Sequence, residues 1–148
     1  MEAAASEERD WTSLHPDITR LIAERLLYED VTEYIVSRAV CTHWRSSTPS
    51  PRDSTLADRR FHPRGWVALC EGTGVRPVNG GAITFFHTSS GRVRRLHLRE
   101  LQGQRIVGFT DGLIVLLDTG CAVIRVLHPF TRCLQQAGVV QDGFLHLA

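Results

Sequence analysis

The chain has no lysine: all seventeen of its basic side chains are arginine. Attachment chemistry that needs a side-chain amine is therefore excluded. Cysteine is sparse as well. Cys41, Cys70, Cys121 and Cys133 are widely spaced and form no CxxC pair, which removes the usual support for a disulfide framework or a zinc knuckle and predicts buried free thiols. No apolar run approaches the roughly 18 residues needed to cross a bilayer. The opening MEAAASEERDW is acidic and lacks an apolar core, so it reads neither as a secretory signal nor as an Arg-rich transit peptide. A cytoplasmic or nuclear location is the expectation.

Catalytic patterns are missing too. Seven histidines are scattered, and no two have the i, i+4 or HxH spacing that aims imidazoles at one ion. Cys41 and His43 could make a thiol and its base, but helical positions that close in sequence point to divergent faces. Glu71 to Pro77, EGTGVRP, has a GxG without the third glycine and precedes a strand-like segment rather than a helix. The expectation is a non-enzyme with no catalytic residue, no metal and no cofactor.

What is present divides the chain in two. The first 30 residues carry eight acidic groups against three arginines, and the remainder has the opposite balance. Residues 1–12 read as an acidic disordered tail. Pro16 then suits a first helical turn, with Asp17 at its positive end. Ile18, Leu21, Ile22 and Leu26 follow at helical spacing as one apolar stripe. Asp30 and Glu33 resemble a capping box that opens a second helix, DVTEYIVSRAV. Cys41, Trp44 and Arg45 continue into a third, and STPSPRDS ends the helical region, so 49–63 reads as a linker.

From Gly65 the pattern becomes short apolar runs punctuated by turn residues: GWVALC, AITFFHT, RVRRLHL, RIVGF, GLIVLLD and AVIRVLH. These predict strands. Asp111-Gly112 suits a tight hairpin, and Asn79-Gly80 and Ser90-Gly91 punctuate similarly. ITFFH (Ile83 to His87) and IRVLH (Ile124 to His128) stand 41 positions apart, each followed by a turn and an Arg. A period of that size with several strands per unit marks a β-propeller blade. His87 and His128 read as structural residues at equivalent strand ends. RVRRLHLR, Arg92 to Arg99, is the one basic cluster, and it reads as a partly basic sheet surface. Nucleic-acid binding would normally show a stronger net positive charge and interleaved exposed aromatics.

Leu14, Pro16, Asp17, Ile18, Ile22, Leu26, Arg38, Val40, Cys41, Trp44 and Arg45 together resemble the F-box pattern, with His15 inserted between the Leu and Pro that are often adjacent. SGRVRRLHL, VGFTDGLIVLL and IRVLHPFTR are similar to the propeller-like domain of unknown function, of KIB type, that accompanies F-boxes in plant families. The resemblance implies an α+β chain. A three-helix F-box (13–48) would be followed by an antiparallel all-β segment (64–148) equivalent to about two blades of an incomplete β-propeller, apparently truncated. It also implies an adaptor-binding ridge of Leu14, Pro16, Ile18, Ile22, Leu26, Val40, Cys41 and Trp44, with Trp44 either on that ridge or in the module's own core. The implied partners are a Skp-type adaptor, through it a cullin-RING (SCF) ubiquitin ligase, and an unknown protein substrate. The alternatives are a regulatory or nucleic-acid-binding module outside any ligase, or a truncated F-box relative without substrate binding.

Overall fold

The computed structural model describes residues 10–69, 81–141 and 144–147. It is an α+β arrangement: helices α1 (Pro16–Glu29), α2 (Val31–Ser37) and α3 (Thr42–Ser46) precede two antiparallel sheets. The first sheet is β1 (Trp66–Leu69), β2 (Ala82–His87) and β3 (Val93–His97). The second is β4 (Gln104–Thr110), β5 (Leu113–Asp118), β6 (Val123–Leu127), β7 (Leu134–Gln141) and β8 (Phe144–Leu147). In both sheets every strand pairs with its neighbour in the chain. The Asn79-Gly80 turn, Cys70 and the EGTGVRP stretch lie outside the described residues.

α1 starts where its sequence says it should. Pro16 occupies the first turn, where its missing N–H costs nothing, and the His15 ring accepts from the Asp17 amide at 3.3 Å. The capping box is only half formed. Asp30 caps α2 by accepting from the Thr32 amide at 2.8 Å, but Glu33 turns away to pair with Arg92 of the sheet region. The tail expectation also changes at its end: Trp11–Ser13 form a 3-10 turn capped by Asp10, and the Trp11 carbonyl accepts the Trp44 indole N–H at 2.9 Å.

The 49–63 segment is a packed connection rather than a loose linker. Tyr34 Oη donates to the Pro49 carbonyl at 2.6 Å, and Phe61 stacks on Tyr34 with ring centroids 5.6 Å apart. Ala23, Val31, Tyr34 and Phe61 form the helical core, with Leu27 and Ile35 packed against it. A second core lies between the sheets: Trp66, Ile83 and Phe85 from the first meet Ile106, Ile114, Leu116 and Leu127 from the second, with Leu98 and Leu101 from the crossing segment.

The 41-residue repeat holds at the level of hydrogen bonds. His87 N donates to Arg92 O at 2.8 Å and His128 N to Cys133 O at 2.9 Å; Gly91 N returns to His87 O at 2.9 Å and Arg132 N to His128 O at 2.8 Å. Both residues that close these turns, Gly91 and Arg132, have positive φ, of 71° and 61°. One turn has been written twice with different side chains.

The Asp111-Gly112 hairpin also forms as expected, with φ of 47° and 79° between paired Thr110 and Leu113. A side chain at Gly112 would overlap the Pro63 carbonyl, so this turn is also where the 49–63 connection presses on the second sheet. Gly112→Ala should therefore lower stability by about 2 kcal/mol in urea denaturation, combining left-handed strain with a backbone clash. Gly103 is the control, since its φ is 70° but nothing lies within 4 Å of an added Cβ. Gly103→Ala should cost only about 1 kcal/mol.

Candidate docking surface

Of the α1 residues that face the helical core, the two fully buried ones, Thr19 and Ala23, are small, and the larger Leu27 one turn further on is half-buried. The other large aliphatic side chains lie to the other side. Ile18 is 45% exposed and Leu21 62%, while Ile22 and Leu26 are half-buried at the boundary. Core formation would ordinarily recruit Ile and Leu ahead of Thr and Ala, because each buried methylene contributes about 0.8 kcal/mol. α1 does the reverse.

The other expected ridge residues do not all face outward. Pro16 is exposed, and Val40 is 56% exposed in the turn between α2 and α3. Leu14 is half-buried, and its carbonyl is held by His43 Nε2 at 2.7 Å. Of the two places open to Trp44, it takes the core. It is only 7% exposed and its indole N–H is used internally on Trp11, so it belongs to the core of the module and not to an outward ridge. Cys41 shares no helical face with it: the cysteine has extended backbone and caps α3, its Sγ accepting from the Trp44 amide at 3.5 Å.

The residues flanking Cys41 are likewise structural. Arg38 donates to Thr48 Oγ1 at 2.8 Å and Pro49 O at 2.6 Å, pinning the chain after α3. The buried-thiol expectation fails for the described cysteines: Cys121 is exposed, while Cys41 and Cys133 are half-buried.

The basic cluster is partly consumed. Arg92 pairs with Glu33 and lies 3.6 Å from Asp30, so it ties the sheets to the helices, whereas Arg94 and Arg95 on edge strand β3 are exposed. Asp118, at one end of the second sheet, is pulled down to about 2 by Gln104 and by the Gly120 amide, and it pairs with Arg125 at 3.0 Å.

A cleft of about 480 Å³ lies beside the end of α1, between Glu24, Tyr28 and Glu29 on one side and Arg60, His62 and Arg64 on the other. Arg60 is already held by Asp58 at 2.7 Å. No nucleophile and base converge there. Among the described residues no three His, Cys, Asp or Glu side chains are grouped to hold a metal ion, and no helix is long and apolar enough to cross a membrane.

Comparison with protein-family models, with curated proteins and with solved structures finds no match to this chain. The outward apolar side of α1 was legible in part, since the stripe is evident from spacing. Its direction was not, because spacing identifies a face without saying which neighbour covers it.

Proposed function

We propose that this chain is an F-box-type substrate receptor. Its helical part docks a Skp-type adaptor of a cullin-RING ubiquitin ligase, and its sheets, read as about two blades of an incomplete propeller, present a protein substrate. The observation that carries this reading is the inverted packing of α1, with Thr19 and Ala23 inside and Ile18 and Leu21 outside. A small helical module that spends its best apolar residues on solvent is built to be covered by a partner. The docking residues are Ile18, Leu21, Ile22 and Leu26, with Pro16 and Val40. Trp44 and Cys41 support them from within.

The chain itself performs no chemistry on this reading. It holds a substrate near a ubiquitin-loaded enzyme, and the gain in rate comes from converting an encounter between free molecules into one within a single complex. Its own lack of lysine removes the usual side-chain targets for self-modification. A nucleic-acid role through Arg92 to Arg99 is less well supported, because Arg92 is engaged by Glu33 and Asp30.

The test is a titration of purified Skp-type adaptor with the full chain and with Ile18→Asp and Leu21→Asp. Both positions are exposed, so the variants should keep the native circular-dichroism spectrum. Each should weaken binding by about 2 kcal/mol, roughly thirtyfold. Absence of binding by the unmodified chain, or full binding by both variants, would remove the reading.

A further inference from the structure

The repeat determines which faces of the two sheets are alike. Paired residues of antiparallel strands point to the same side, so the pairings assign each side chain to a face. In the first sheet Ile83 and Phe85 face the shared core, and their repeat equivalents in the second sheet are Ile124 and Val126. Those two point away from the core. Their cross-strand partners are Leu117 and Val115, so four half-buried aliphatic side chains lie together on the outer face of the second sheet, with Arg105 beside Leu117 and Gln135 beside Val126.

The converse holds for the first sheet. Leu127 of the second sheet is in the shared core, and its equivalent is Phe86, on the outer face of the first. Phe86 pairs with Val67 on one side and Val93 on the other, and Leu69 follows in the next row. Val67 and Leu69 are each 48% exposed and Val93 is 59%. Within one chain, therefore, the face bearing Ile83 and Phe85 is covered by the face bearing Leu127. Among the described residues, the equivalent of the first of these lies on the outer side of the second sheet, and the equivalent of the second on the outer side of the first.

We propose that copies of this chain associate head to tail, the outer face of the first sheet (Val67, Leu69, Phe86, Val93) of one copy packing on the outer face of the second sheet (Val115, Leu117, Ile124, Val126) of another. The occupant is a second copy because each open face has a counterpart in the same molecule already packed on the complementary surface. The new contact continues an interface that the fold contains. It is heterologous, so it closes into a ring or extends as a filament according to the rotation between copies. It does not rest on adaptor docking, which uses α1.

Sedimentation velocity of the full chain over a range of concentrations tests this. The expected result is mass above the 16.6 kDa monomer, rising with concentration. Val93→Glu breaks one face and Val126→Glu the other, and each variant alone should be monomeric while retaining a native near-ultraviolet spectrum. Leu117→Glu replaces Val126→Glu if the latter fails to fold. Mixing the two single-face variants leaves one intact pair of faces, so the mixture should form a discrete dimer and nothing larger. Ile18→Asp should self-associate as the unmodified chain does, which separates failure here from failure of adaptor docking. A monomeric wild type at every concentration, as when a different polypeptide is the natural cover, overturns the proposal. So does undiminished association of both variants, or a mixture of folded variants that stays monomeric.

Discussion

Replacing Asp30 by Ala should lower the free energy of unfolding by about 3 kcal/mol, because one buried carboxylate accepts three hydrogen bonds, two from α2 and one from the first sheet. It caps α2 through the Thr32 amide at 2.8 Å, accepts the Thr32 hydroxyl at 2.7 Å, and accepts the Trp66 indole N–H of the first sheet at 2.9 Å. Loss of an N-cap costs about 1 kcal/mol. Trp66 is 3% exposed, so its N–H would be left buried without a partner, a further cost of about 2 kcal/mol. Arg92 adds little, since its side chain is 45% exposed and water can replace the pairing. Asp30→Asn keeps a capping oxygen and should cost about half as much. A double-mutant cycle with Trp66→Phe isolates the link between helices and sheets, with an expected coupling of about 1 to 2 kcal/mol in urea denaturation. A coupling near zero would mean that the two parts are held together elsewhere.

Asp30 also shows where sequence reading succeeds and where it stops. Its role as a cap is local and was legible from its place before a helical run. Its bond to Trp66 joins residues far apart in the chain, and nothing in the spacing of either signals the other. The same division runs through the fold. Six strands follow from β-branched runs between turn residues, and Asp111-Gly112 forms the hairpin its composition requires. β7, LQQAGVVQ, escaped because two glutamines and an interior glycine hide its alternation, and β8 is only four residues long. Phe61 and Pro63 were hidden inside a stretch whose prolines and small polar residues suggest a linker, although both are buried between helices and sheets. Trp44 illustrates the remaining ambiguity: a large aromatic in a small module serves equally as anchor or as core. Only the position of the Trp11 carbonyl decides it.

The largest effect expected in the second sheet is at His128. The residue is 1% exposed and spans two elements: Nε2 donates to the Phe61 carbonyl at 2.8 Å, and Nδ1 accepts from the Thr131 amide at 3.2 Å. These partners require the neutral ring with its proton on Nε2, since a carbonyl only accepts and an amide N–H only donates. His128→Ala should cost about 3 to 4 kcal/mol, through the cavity and two buried groups left unpaired. His128→Gln can still reach Phe61 but not the turn, and it should cost less.

The pH dependence of stability provides a second reading of the same residue. Burial pushes the His128 pKa below 6.5, and the Phe61 carbonyl only partly opposes it. As pH falls below 6.5 the unfolded chain takes up a proton at this ring before the native chain does. Protons are then bound more readily by the unfolded state, so the contribution is complete above that pH and is lost on acidification. Denaturation midpoints at about pH 5 and about pH 7 should therefore differ more for the wild type than for His128→Gln. Equal differences would show that the ring titrates freely in the native state. In that case it could not hold the Thr131 amide, and the repeated turn would owe its shape to its backbone alone.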